Sequence, residues 1–415
     1  MSFYISSLLI AIPIFLILMG IEIVAAKRMG IQVNNSADMI SSLSSGITNT
    51  VRDGLKYGIV IVSYSWLVSH FTLYKLEPVW AAVIVAFIVQ DFTGYWMHRL
   101  NHRVNIFWNR HIIHHSSEEY NLACALRQSI SDMVHFGAIL MIPAAVLGVP
   151  ASIFAILGPI HLFMQFWYHT RLIDKMGWLE KIIVTPSHHR VHHAINSKYL
   201  DKNYSQIFII WDKVFGTFQE ELIYEKPVYG TLRPANTWNP IIINYKHLWQ
   251  LIQDAFHAEN IWDKIRIWFM PTGWRPEDVA EKFPITIIEN PFEQIKYKTE
   301  NSRTLLGWSY IQMSISLMLM FIMFYKATNH GVFITGLIAM FLMINVFSYT
   351  ALMDGKKYSL VADGIKVAIL CFVIFYQNLG ILELNLSLKI FFWYSIISTM
   401  GTLYFLKTEG QLLDV

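Results

Sequence analysis

Residues 79–115 read VWAAVIVAFIVQDFTGYWMHRLNHRVNIFWNRHIIHH. The apolar run 79 to 97 is about long enough to cross a hydrocarbon core. It leads directly into two histidine groups, His98-x3-His102 and His111-x2-His114-His115, and a third group, His189-x2-His192-His193, follows later. Residues four apart on a helix share a face, so His98 and His102 can aim two imidazoles at one point and each HxxHH group can aim three. A lone histidine on an apolar helix face is more often a hydrogen-bonded core residue. Here eight of the chain's 16 histidines fall in three short segments, and desolvating so many imidazoles with no ligand to share is costly. Eight ligands are too many for one metal. Neutral imidazole suits iron, zinc and copper, whereas magnesium and calcium want oxygen, so the pattern reads as a two-metal transition-metal centre. Two irons are the natural choice for O2 chemistry, and ligand type alone leaves zinc open.

Outward from this stretch the chain stays apolar. Of its 415 residues 54% are hydrophobic and only 15% charged, which excludes an ordinary soluble domain. Residues 3 to 24 form a first candidate span, with Lys27 and Arg28 after it and no basic residue before it, so it is not a cleaved signal. Further candidates are 56 to 73, 79 to 97, 135 to 157, 304 to 325, 332 to 352, 358 to 377 and 388 to 407. The stretch 135 to 157 contains Gly148-Val149-Pro150, with Gly158-Pro159 just beyond, so this region is read as a broken hairpin that dips in and returns. The expected fold class is all-α: a polytopic membrane helix bundle with a cytoplasmic, histidine-rich catalytic cap. Its division is membrane helices over 1–97, a catalytic region over 98–300 and a second membrane block over 301–415. Basic loops on one side put the histidines on the cytoplasmic face of a bacterial inner membrane or of the endoplasmic reticulum. A formal net charge of only +3, without a basic run interleaved with aromatics, argues against nucleic acid. Cys124 and Cys371 are the only cysteines. They form no disulfide framework, and Cys124 reads as a small buried residue.

Other polar residues sit where a metal site would use them. His169 ends the apolar stretch Gln165-Phe166-Trp167-Tyr168-His169-Thr170 and is the best candidate for a ninth ligand; His161, two turns earlier, is either a tenth or a buried structural residue. His188 points away from His189 and is assigned to support rather than ligation. Asp91 lies seven residues before His98 in the apolar run, where an isolated carboxylate is expensive; a hydrogen bond to a ligand histidine would explain it. Asn121 and Asn203 are further candidates to orient the imidazoles, as are Glu118, Glu119, Arg127, Gln128 and Asp132. The polar segment 170–300, with Trp238-Asn239-Pro240 and Pro271-Thr272-Gly273-Trp274-Arg275-Pro276, suits either interfacial helices with aromatics at headgroup level or solvated loops.

With its three histidine groups in order on a hydrophobic chain, the sequence resembles the fatty acid hydroxylase and sterol desaturase superfamily, integral membrane enzymes with an eight-histidine diiron centre. Five stretches resemble its alkylglycerol monooxygenase family more closely: Tyr120-Asn121-Leu122 with Ala125-Leu126-Arg127-Gln128-Ser129; the 165–170 segment; Pro186-Ser187-His188-His189-Arg190-Val191-His192-His193; Asp201-Lys202-Asn203-Tyr204; and 210–218. Gly273-Trp274-Arg275-Pro276 and the C-terminal membrane block are similar as well. The resemblance implies an O2-dependent diiron monooxygenase that takes its lipid substrate from the bilayer. It implies hydroxylation of the ether-linked carbon of a 1-O-alkylglycerol, releasing fatty aldehyde and glycerol, with tetrahydrobiopterin or another reduced pterin as electron donor. No pterin-binding motif is legible. The rival within enzymology is a sterol, fatty acid or carotenoid hydroxylase or desaturase served by an electron-transfer protein. The rival outside it is a metal transporter or sensor, whose ligands would be spread through the bilayer.

Overall fold

The computed structural model describes residues 3–55, 58–376 and 386–409, and it is mostly helical. Helix α1 (Phe3–Met29) runs five residues beyond the expected 3–24 and closes on Lys27 and Arg28, cations well placed at a helix C-terminus. Asn35 caps α2 (Ser36–Gly54), accepting from the amides of Ala37 and Asp38. The sequence reading assigned no element to α2. It is too polar to span, yet its Ser41, Ser42, Ser44, Ser45 and Thr48 are all buried.

The expected span 56 to 73 does not form. Gly58 onward gives a two-residue strand β1 (Ile59–Val60), then a Ser63-capped, eight-residue helix α3 (Tyr64–Phe71); residues 56 and 57 lie outside the described residues. By contrast α4 (Val79–Arg103) continues past residue 97 through both histidines of the first group, and Asp91, Tyr95, His98 and His102 share its buried face. Short helix α5 (Asn105–Trp108) precedes the second group, whose His111 caps and whose His114 and His115 lie on α6 (Ile112–His115).

Residues 135 to 157 do not span either. β2 (Val134–His135) pairs in parallel with β1, Ile59 opposite Val134, and α7 (Ile142–Val146) stops at the expected Gly148-Val149-Pro150 break. Gly148 takes φ +62°, and a Cβ there would lie 2.5 Å from the Tyr74 carbonyl oxygen. The second expected break fails: α8 (Ala151–Phe166) runs through Gly158-Pro159, where a proline costs one helical hydrogen bond and the chain carries on.

The third group lies on α9 (Pro186–His192), followed by α10 (Ile210–Val214), α11 (Pro240–His257), α12 (Ile261–Arg266) and α13 (Glu277–Lys282). The C-terminal block is α14 (Arg303–Met353), interrupted at Gly331 with φ 69°, then α15 (Tyr358–Tyr376) and α16 (Leu386–Thr408). Among the described residues five helices are long and apolar enough to cross a membrane: Ile10–Met29, Val79–Arg103, Arg303–Tyr325, Gly331–Met353 and Tyr358–Tyr376. α16 covers the expected 388 to 407 as a helix but is not among these five.

One apolar core joins α2 to the C-terminal block through Ile40, Val51, Met323, Phe341, Val346 and Phe391. A polar seam crosses it. Fully buried Lys366 donates to Asp363 (2.7 Å), Asn345 Oδ1 (2.8 Å) and Ser398 Oγ (2.7 Å), so all three of its donors are used. Ser44 of α2 meets Tyr349 at 2.6 Å. Helix α2 is thereby wedged between this block and the histidine segment, where its Ser45 hydroxyl lies 3.0 Å from the Gln128 carbonyl oxygen.

Candidate metal centre

Nine histidines from separate elements come together in two groups. His98 and His102 from α4, His111 and His115 around α6, and His192 from α9 form one; His114, His169, His189 and His193 form the other. Within each group one nitrogen from every ring lies within 4.8 Å of those of the others. The groups abut, the rings of His115 and His193 stacking at 4.3 Å. Helical spacing explains only part of this. The first pair does sit on one α4 face, but His111 precedes α6 with φ −127° and ψ −17°, and His193 lies just past the end of α9.

The ring nitrogens meet mostly one another. His98 Nε2 is 2.8 Å from His111 Nε2, and His189 Nε2 is 2.9 Å from His169 Nε2 and 3.0 Å from His193 Nε2. Nε2 of His102, His115 and His192 and Nδ1 of His189 are buried without a hydrogen-bond partner. Buried polar atoms are ordinarily satisfied, so converging nitrogen lone pairs with no proton to accept form the donor set of a transition metal. Burial, the largest cause in each case, holds His111, His115, His169, His189, His192 and His193 well below the ordinary imidazole range, and His114 down to about 4. At neutral pH these rings are uncharged, as metal ligands must be.

Four rings are oriented by main-chain oxygens. Nδ1 of His98 lies 2.7 Å from the Tyr204 carbonyl, that of His114 3.2 Å from Arg127, that of His169 3.0 Å from Gln165 and that of His192 3.0 Å from Lys202. Donation there leaves Nε2 free to face inward.

Asp91, His161, His188, Asn121 and Asn203, expected around the ligands, bond elsewhere. Asp91, fully buried, accepts from the amides of Ile207 (2.9 Å) and Phe208 (3.0 Å), from Trp211 Nε1 (2.8 Å) and pairs with His161 (3.1 Å). It pins α4 to the loop before α10 and reaches no clustered imidazole, because backbone amides satisfy the carboxylate first. His161 accordingly stays outside both groups. His188 closes the N-terminal turn of α9 with Thr185. Asn203, at φ 55°, bonds the His188 and Gln219 carbonyls, and Asn121 bonds the Val33 carbonyl and the Cys124 amide.

Asp212, Glu22 and Asn105 carry no expectation from the sequence, whereas Arg127, Glu118, Glu119 and Asp132 were expected near the ligands; all of them brace the site. Asp212 accepts from the amides of Tyr204 and Ser205, each at 2.8 Å, and from Thr217 Oγ1 at 2.6 Å, which shapes the carbonyl that holds His98. Arg127, whose carbonyl holds His114, is locked by Asp38 at 2.6 Å, Ser42 at 2.9 Å and Ser116 at 2.7 Å. Glu22 of α1 accepts from Thr170 Oγ1 (2.6 Å) and the Leu122 amide (2.8 Å). A lone carboxylate in the first apolar run was the available signal for Glu22. Asn105 receives the Gly273 amide (2.9 Å) and bonds the Trp274 carbonyl (3.0 Å), which gives that stretch a structural reason. Glu118 and Glu119 bond the Tyr297 amide and Lys296; Asp132 pairs with Arg110.

Residues 83–217 match the fatty acid hydroxylase family model. Alkylglycerol monooxygenase of Homo sapiens is 36% identical over 310 residues, 74% of this chain and 68% of its own length. That of Caenorhabditis elegans is 31% identical over 365 residues, 82% of this chain and 70% of its own. The ornithine lipid hydroxylase OlsE of Rhizobium tropici is 28% identical over 219 residues, 52% of this chain and 65% of its own. No solved structure matches the chain significantly.

Proposed function

Because the chain belongs to the alkylglycerol monooxygenase family of fatty acid hydroxylases, we propose that it is a membrane-bound diiron monooxygenase that opens the ether bond of 1-O-alkylglycerols. The observation that carries this reading is the pair of abutting imidazole groups, five and four strong, at the end of a helix long enough to span. His98, His102, His111, His115 and His192 would hold one iron; His114, His169, His189 and His193 would hold the other. Bound there, the irons would supply O2 activation and removal of hydrogen from an aliphatic carbon.

The chain's own residues do the rest. The main-chain anchors keep Nε2 facing inward, and burial keeps the imidazoles neutral and water out. The alkyl tail enters from lipid while the glycerol stays at the interface. Oxygen inserted at the ether-linked carbon gives a hemiacetal, which separates into fatty aldehyde and glycerol. The second oxygen atom leaves as water with two electrons from a reduced pterin. Basic residues flanking the spans support a cytoplasmic position for the centre.

The test is iron-loaded protein in membranes with O2, tetrahydropterin and an alkylglycerol, read as aldehyde formed and iron bound per chain. Two irons and aldehyde are expected, and either His114→Ala or His192→Ala abolishes aldehyde. Sterol oxidation that ignores pterin and depends on an electron-transfer protein would replace this reading with the rival hydroxylase. Metal flux into vesicles with no oxidation would replace it with transport, which the gathering of ligands into two abutting groups disfavours.

A further inference from the structure

Helix α11 carries two opposite faces. Ile243, Asn244, Leu251 and Asp254 are buried, whereas Tyr245, Trp249, Ile252 and Phe256, at steps of four, three and four, form an exposed stripe; Trp249 is 60% and Phe256 78% exposed. The next helix adds exposed Trp262, and Phe269 follows it. An apolar stripe of this size on one helix face marks a membrane or protein contact rather than a solvated surface. α11 is not among the helices able to span; Lys246, His247 and Asp254 interrupt it.

The tethers of this unit say which contact. At its start Asn239 Nδ2 donates to the Phe347 carbonyl (3.0 Å), and the Trp238 amide donates to Asp354 (2.8 Å), nearly two turns inside and just past the end of the span Gly331–Met353. At its far end the Asn105 amide donates to the Met270 carbonyl (3.0 Å), and the Thr272 amide to the Arg103 carbonyl (3.3 Å), at the end of the span Val79–Arg103. Both ends of the 238–272 segment are therefore fixed where spanning helices leave the hydrocarbon, the depth at which Trp, Tyr and Phe on a polar-backed helix are stabilised.

We propose that α11 and α12 are seated in the headgroup–acyl boundary of the bilayer the other helices cross. The buried side of α11 gives the seat a purpose. His247 Nε2 lies 2.9 Å from the Asn105 carbonyl, and the Leu248 amide donates to Asn109 Oδ1 (3.0 Å), the two asparagines between His102 and His111. The lipid-facing helix thus grips the connection between the first two histidine groups and sets their height at the surface. The inference rests on the fold and not on the chemistry proposed above.

Nitroxides attached at Trp249→Cys and Phe256→Cys, in a Cys371→Ser background where Cys124 is buried, test it in phosphatidylcholine vesicles. Collisions with O2, which concentrates in lipid, are expected to exceed those with a water-soluble nickel chelate at both positions, and the order is expected to reverse at exposed Lys198→Cys. Preferential nickel collisions at 249 and 256, or exclusion of both agents with spin–spin broadening from a second copy, would overturn the proposal. A gentler pair, Trp249→Phe and Trp262→Phe, keeps the test open if labelling disrupts the fold. Each is expected to remove part of the tryptophan quenching by lipids brominated near the headgroup, and unchanged quenching in both counts against the seat.

Discussion

His98 receives its orientation from Tyr204, and Tyr204 receives its own from Asp212, so a residue remote from the ring decides where Nε2 points. Asp212→Ala strands two buried amides and a hydroxyl, at about 1–3 kcal/mol for each unsatisfied group. Lower unfolding midpoints and reduced metal content are expected, with Asp212→Asn milder in both. The Arg127–Asp38 pair behaves differently. Asp38→Ala leaves a buried guanidinium uncompensated, at about 3–5 kcal/mol, while the double variant Asp38→Leu/Arg127→Met regains most of the loss; denaturant unfolding of the two variants beside the parent protein separates these outcomes. Acid sensitivity has a distinct source in His247, which burial pushes down to about 4. Unfolding raises it toward the ordinary 6.5, so the unfolded chain binds more protons between those values and stability falls as pH drops from 6.5 to 4. His247→Asn is expected to flatten that part of the stability–pH curve. At this scale the histidines were legible and their supports were not. Eight imidazoles stand in the sequence as a pattern, whereas the oxygens of Tyr204, Gln165 and Lys202 belong to the main chain and leave no mark on residue type. Asp91 was rightly singled out as costly and wrongly partnered, since the amides of 207 and 208 arrive from more than a hundred positions away.

Elements show where the local rules prevail. Gly148 breaks the chain as its Gly-Val-Pro setting foretells, and Gly148→Ala meets both a left-handed backbone and the Tyr74 carbonyl. A loss of at least about 1–2 kcal/mol follows from the backbone alone, visible as a lower thermal midpoint. Apolar length named every helix now long enough to span, because in lipid a backbone must satisfy itself within the segment. It also named 56 to 73 and 135 to 157, where Ser63, Thr72 and Gly148 cut the helices short and pairing of Ile59 with Val134 took the remainder. Helix α2 escaped notice for the converse reason: a serine-rich helix looks exposed until partners such as Tyr349, Arg127 and Gln128 bury it. In the C-terminal block, Lys366→Met alone leaves the Asp363 carboxylate unpaired in a dry interior, and a lowered melting temperature in detergent is expected. Adding Asp363→Leu restores it.

For the whole molecule, the clustered nitrogens make metal binding and folding one equilibrium. A ligand bound only by the native state adds about 2.7 kcal/mol at a hundredfold excess over its dissociation constant, so iron or zinc is expected to raise the melting temperature and a chelator to lower it. The effect is expected to vanish in His115→Ala/His193→Ala, which strikes one ligand of each group. The overall plan, spans delivering histidines to one place, was readable from hydropathy and spacing; the grip of α11 on the 105–109 connection was not, because it depends on tertiary contacts between segments far apart in sequence. The main-chain anchoring of four rings also bears on how such a catalyst can diversify. A carbonyl oxygen is the same atom whichever side chain its residue carries, so replacements at 127, 165, 202 or 204 leave the proton on each ring where it was unless the loop itself moves. Side chains around the centre can then change while the imidazoles keep their aim, and variation there proceeds by single steps that do not first dismantle the ligand set.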